Sequence, residues 1–301
     1  MRKFLLPVVL LLLFVFPLSS CSDGTSGGAG SITVGAITTT ETKIIAHMYK
    51  ELIEHQTDLS VEVKPDLATS PIVIEGMQAG DLDMATSYTG TMISSFFEIE
   101  NPEDPDATLQ QAKDVFSGEE FNFKVFDPLG FANTYAFTVR KDIAVEYDLE
   151  KVSDLTEIAG EFSAGFDTAW LERENDGYPA FIDTYDFEFG ETNPMEIGLV
   201  YDAVNNEEVD IVLAYSTDPR IVAYDLVALE DDKNFFPPYD AVPAIKQETL
   251  DEYPEIEDAI APLIGAFDEE IIGELNGKVD LDGEEIEDVA IDYLKEQNLI
   301  K

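Results

Sequence analysis

The chain of 301 residues holds one cysteine, two histidines, one tryptophan and only 17 basic residues against 63 acidic ones. Each shortage removes a class of function. One Cys allows no internal disulfide and no Cys-rich zinc site. His47 and His55 are the only imidazoles and stand eight positions apart, so neither a His-based metal centre nor a Ser/His triad is expected. A formal net charge of -46 repels the phosphate backbone of nucleic acids and disfavours anionic lipid surfaces. There is no nucleophile elbow at a strand-to-helix turn and no His-Glu-x-x-His motif. No cofactor and no enzymatic reaction are expected.

What is present argues for a folded, exported protein. With 45% hydrophobic and 11% aromatic residues, the chain can bury a core despite its charge. Acidic side chains of this density keep a surface hydrated, and salt screens their repulsion, which suits a saline medium. Asp280-Leu281-Asp282-Gly283-Glu284-Glu285 lacks the alternating oxygen ligands of a calcium loop and reads as a solvated turn.

The N-terminus reads as an export signal over 1–20. Arg2 and Lys3 precede an apolar run from Phe4 to Phe16, which is shorter than the roughly 20 residues of a membrane span. Leu18-Ser19-Ser20-Cys21 then resembles the lipobox of bacterial lipoproteins. That resemblance implies acylation of Cys21, cleavage before it and tethering outside the membrane. Residues 21–30, rich in Gly and Ser, fit a flexible tether.

Beyond the tether, periodicity predicts strands at 31–36, 61–63, 82–87, 163–166 and 209–214. It predicts helices at 72–79, 153–162, 178–185 and 195–206, and mainly helices over 247–301. Thr38-Thr39-Thr40-Glu41 has capping-box spacing for a helix carrying Ile44, Ile45, Met48, Tyr49, Leu52 and Ile53 on one face. This alternation predicts an α/β protein with parallel sheets. An internal echo runs through it. Asp83 and Asp210 each open a strand, Tyr88 and Tyr215 each stand five residues later, and a hydroxyl residue, Thr89 or Ser216, follows. Ligands of open α/β sheets sit at the carboxyl ends of strands, so the two tyrosines would face a cleft. Tyr135 lies where a loop feeds a strand, Tyr239 follows two prolines, and Arg173 is a scarce basic residue in an acidic chain.

At these residues the chain resembles a known family. Tyr88-Thr89-Gly90-Thr91, Gly130–Val139 (GFANTYAFTV), Gly198–Val204 (GLVYDAV), Leu213–Asp218 (LAYSTD) and Phe235–Asp240 (FFPPYD) together are similar to the extracytoplasmic substrate-binding proteins of ABC importers for glycine betaine, carnitine and choline. The resemblance runs from about Ile32 to Leu299. It implies a two-lobed, periplasmic-binding-protein-like (type II) α/β fold with a ligand cleft between the lobes. Lobe I would comprise 31–132 plus 239–301 and lobe II 133–238, with the chain crossing near Asn133 and Pro238. It implies an aromatic cage of Tyr88, Tyr135, Tyr215 and Tyr239, with Thr91 and Asn133 beside it and Arg173 on a ligand carboxylate. Ile37 stands where relatives carry Gln or Lys, and Thr91 where choline-restricted relatives carry Asp, which favours a zwitterion. The implied partners are a quaternary-ammonium ligand, ABC permease subunits and the membrane, reached by the lipid on Cys21; the protein would act as an extracytoplasmic monomer. A binder or sensor of another solute, such as an amino acid, and a secreted acidic hydrolase are the alternatives.

Overall fold

The computed structural model describes residues 30–301 apart from Asn175 and Ile197. The export signal, Cys21 and all but the last residue of the expected tether lie outside the described residues. Among those described, the strands are β1 (Ser31–Ile37), β2 (Ser60–Leu67), β3 (Met84–Tyr88), β4 (Phe123–Val125), β5 (Tyr135–Arg140), β6 (Ser163–Asp167), β7 (Glu191–Met195), β8 (Ile211–Tyr215), β9 (Leu226–Ala228) and β10 (Ala241–Lys246). They form two five-stranded sheets, in the orders β2-β1-β3-β10-β4 and β7-β6-β8-β5-β9.

The sheets are mixed, which corrects the all-parallel expectation. β1 runs parallel to β2 and β3, while β10 runs antiparallel to β3 and β4. In the other sheet β6 runs parallel to β7 and β8, while β5 is antiparallel to β8 and β9. The reason lies in the route of the chain. β5 and β10 each follow a passage from one sheet to the other, so they start at the edge where their parallel neighbours end. Helix–strand alternation does not report that inversion. The two passages pair with each other: Ala132 bridges Asp240, and the Asn133 amide donates to the Tyr239 carbonyl (3.2 Å).

Helices cover the sheets, so the central strands bury both faces and lack polar alternation. Every residue of β3 is buried. Helix Thr40–Gln56 packs on the first sheet through the apolar face its period predicts, with Ile44, Ile45, Met48, Tyr49, Leu52 and Ile53 all inaccessible to solvent. Its start differs from the expected capping box. Thr39 is the N-cap but makes no side-chain cap bond, and Glu41 turns into the protein instead of back to the helix end.

Two other expectations need correction. Residues 153–162 form two short 3-10 turns, Val152–Leu155 and Ala159–Glu161. Polar side chains there compete with the helix for the backbone: Asp154 accepts the Glu150 and Lys151 amides, and the Thr156 hydroxyl donates to the Ser153 carbonyl. Met195 closes strand β7, and the helix begins only at Leu199. Pro194 disfavours helical backbone before it and is tolerated on an edge strand, while Gly198 adopts φ +99 just ahead of the helix.

Candidate functional site

The internal echo becomes geometry at the centre of each sheet. β3 and β8 are the middle strands, and Tyr88 and Tyr215 are their last residues. The aspartates that precede them do the same job. Asp83 Oδ2 accepts the Thr33 amide at the head of β1 (2.7 Å), and Asp210 Oδ2 accepts the Ser163 amide at the head of β6 (2.8 Å). Each therefore ties the middle strand to its parallel neighbour and sets the register that carries the tyrosine to the strand's end.

The antiparallel strands bring the other two tyrosines to the same edge. Tyr135 opens β5 and stands directly opposite Tyr215 in the pairing of β5 with β8. Their ring centroids are 4.9 Å apart. Tyr239 lies two residues before β10, whose first residue, Ala241, pairs with Tyr88. Its ring meets that of Tyr135 edge-on, 5.6 Å between centroids. Two strand ends and two strand beginnings thus converge on one cavity of about 310 Å³. All seven residues named from sequence, Tyr88, Thr91, Asn133, Tyr135, Arg173, Tyr215 and Tyr239, stand in its wall. So does Ile37, at the end of β1, and so do Thr69 and Ser70 at the head of helix Ser70–Ala79.

None of the acids behind these rings was named from sequence as a site residue. The Tyr88 hydroxyl donates to Glu41 Oε1 (2.6 Å), Tyr239 to Asp176 Oδ2 (2.7 Å) and Tyr215 to Asp167 Oδ2 (3.3 Å). Tyr135 is the exception: its hydroxyl accepts from Arg173 Nη2 (2.8 Å), and the guanidinium carbon lies 5.2 Å from the centre of its ring. Burial pushes the Tyr135 phenol up to about 12, so it stays neutral beside the cation. Arg173 Nε also lies 3.4 Å from Asp176 Oδ1, so one carboxylate holds both Arg173 and Tyr239. Asp167 accepts the Trp170 amide and caps the short helix Thr168–Glu172, which places Arg173. Asp167 alone carried a usable signal, since it ends β6 as Ile37 ends β1. Asp176 carried none.

Glu41 is 4% exposed and sits where several elements meet. It accepts from Tyr88, from Asn133 Nδ2 and from Asn276 Nδ2 (3.1 Å), the last on helix Glu269–Asp280. Burial raises its carboxyl above the usual range, and the bonds from Tyr88, Asn133, its own backbone and Asn276 draw it only part of the way back. Among the described residues no group of three or more His, Cys, Asp or Glu could hold a metal ion.

Comparison with known proteins settles the family. Residues 30–296 match the family described as the substrate binding domain of ABC-type glycine betaine transport system. The chain belongs to this family. It is 43% identical over 293 residues to the carnitine transport binding protein OpuCC of Listeria monocytogenes, covering 96% of this chain and 95% of that one. It is 27% identical over 283 residues to a glycine-betaine-binding protein of Pseudomonas aeruginosa, covering 90% and 89%. Among solved structures it resembles a glycine betaine/carnitine/choline ABC transporter protein with a TM-score of 0.74 at 37% identity, over 90% of this chain and 99% of that one. The chain is thus a substrate-binding protein of an ABC-type importer, a class that works outside the cytoplasmic membrane and hands a small molecule to a permease. No described helix is long and apolar enough to cross a membrane.

Proposed function

We propose that the cavity captures a quaternary-ammonium osmoprotectant, a zwitterion such as glycine betaine or carnitine in preference to choline, and presents it to the permease. The observation that carries this reading is the convergence of four tyrosine rings on one cavity, with Arg173 beside them. A permanently methylated nitrogen donates no conventional N–H bond and spreads its charge over its methyl groups. The negative face of an aromatic ring suits it, at about 0.5–2 kcal/mol per desolvated contact. Four rings would supply about 2–8 kcal/mol, and micromolar binding needs about 8 kcal/mol net. Arg173 supplies the rest by holding the ligand carboxylate, a role that choline cannot use. Thr91 brings no charge at its own position, which also favours a carboxylate-bearing ligand.

In this reading residues 31–132 with 239–301 form one lobe and 133–238 the other. The paired passages at Asn133 and Pro238 are the hinge. Ligand touches tyrosines of both lobes and so stabilises the shut form, which the permease recognises. Cys21 carries a lipid that holds the monomer at the outer face of the membrane, and the acidic surface keeps it solvated in a saline medium.

Titration of the purified protein tests the proposal. Trp170 is the chain's only tryptophan, and its ring lies 6.4 Å from that of Tyr135, so its emission reports on the cavity. Glycine betaine and carnitine should shift it saturably, choline more weakly, and proline or glutamine not at all. Saturable binding of an amino acid with no response to glycine betaine would overturn the reading.

A further inference from the structure

Glu41 is a buried acid on which three side-chain donors converge. Tyr88 O–H, Asn133 N–H and Asn276 N–H all point at it. That convergence favours the carboxylate. A buried carboxylate ordinarily has a cationic partner, because desolvating an unpaired charge is costly. Among the described residues no Lys, Arg or His lies within ion-pair reach of Glu41. Arg220 lines a neighbouring polar cavity of about 160 Å³ with it, but that guanidinium is held by both oxygens of Asp218, at 2.8 and 2.5 Å, and by the Gly198 carbonyl. The acid on the opposite side, Asp176, already has Arg173.

We propose that Glu41 is the buried counter-charge of the cage, a positioning residue that aims and polarises Tyr88 and whose cationic partner is the ligand's ammonium. This deepens the reading above and rests on it. Through the Tyr88 hydroxyl the carboxylate adds electron density to a ring whose face the cation meets, which strengthens the contact in a site shielded from water. Arg173 stands at Tyr135 of one sheet and Glu41 behind Tyr88 of the other, so that together they set which way round a zwitterion lies. The same carboxylate links the cage to closure. Asn276 donates to Glu41 and to the Thr217 carbonyl (3.2 Å), just past the end of β8 in the other sheet. The sequence pattern disguises this acid as a helix cap.

The test compares glycine betaine with 3,3-dimethylbutanoate, which has the same shape with carbon in place of the charged nitrogen. Both are measured by calorimetry or by displacement on the full chain. Glu41→Gln keeps the size of the side chain and removes its charge. It should weaken glycine betaine by about fivefold or more, while the carbon analogue, an anion, binds as before or more tightly. Glu41→Asp, which keeps the charge, should retain more of the wild-type preference for glycine betaine over the analogue. Tyr88→Phe keeps the ring and removes the link, so Glu41→Gln made in that background should cost less than about twofold. Equal losses for both ligands in Glu41→Gln, or an unchanged affinity for glycine betaine, would reduce Glu41 to a packing element and overturn the proposal. Should Glu41→Gln fail to fold, Tyr88→Phe decides alone: a lower preference for glycine betaine supports the link and an unchanged preference overturns it. A wild-type protein that binds no quaternary ammonium would instead fell the functional reading itself, and this inference with it.

Discussion

The two sheets share one plan and differ in what fills it. Each has three parallel strands, an antiparallel strand arriving from the other half and a short final strand. Each places an aspartate at the head of its middle strand and a tyrosine at its end. The packing diverges. Under helix Thr40–Gln56 the first sheet is lined by Ile44, Ile45, Met48, Leu52 and Ile53. One face of the second is lined by rings, with Phe137 against Phe181 at 4.6 Å and Phe166 against Trp170 at 5.0 Å, while Val200, Val204, Val209 and Val212 pack elsewhere on it. Strand order and strand-end position bring the four tyrosines to one cavity, and two unlike cores hold the same plan. The aromatic core also reaches the site directly, since Phe137 meets Trp170 and Phe236, and both meet Tyr135.

The largest effect should come from breaking the cores. Phe137→Ala should lower stability by about 3–5 kcal/mol and Ile45→Ala by about 2–5 kcal/mol in urea denaturation. Only the first should also loosen ligand binding, through Trp170, Phe236 and Tyr135. If Ile45→Ala weakened binding as much, the aromatic core would have no special tie to the cage. Next come the equivalent tyrosines. Tyr88→Ala and Tyr215→Ala should each weaken glycine betaine by about tenfold, as one lost desolvated cation–π contact implies. Tyr215→Phe should stay within about threefold, because the ring face survives and the bond to Asp167 is long. A tenfold loss at one position and none at the other would show that the echo is not a functional pair.

The smallest effect tests the register devices. Asp83→Asn and Asp210→Asn each weaken a bond to a neighbouring strand's amide and should cost about 0.5–1.5 kcal/mol apiece. Asp83 also accepts from the Thr249 hydroxyl and Asp210 from the Ser163 hydroxyl, so the two losses should match. A loss confined to one of them would break the parallel between the sheets.

Much of this was legible in the chain. The period of residues 44–53 gave the first helix face, and the repeated Asp-to-Tyr spacing placed two rings at strand ends, because a strand's direction is fixed once its head is tied. Family motifs named Tyr135, Tyr239, Asn133, Thr91 and Arg173, and all of them stand at the cavity with Tyr88 and Tyr215. Local pattern failed where short polar side chains took the backbone at 153–156 and where Pro194 and Gly198 delayed a helix.

Sequence by itself determined the chemistry available: a strongly acidic charge, a single thiol, and aromatic rings where strands end. Only the tertiary structure decided which acids stand behind those rings. Glu41 meets Tyr88, Asn133 and Asn276 across separations of 47, 92 and 235 residues. No local period encodes such meetings, because they depend on a chain that passes twice between the sheets and inserts strands running backwards. Hydrophobic pattern tells a segment which face to bury, and the route of the chain alone tells a buried acid which partners it will find.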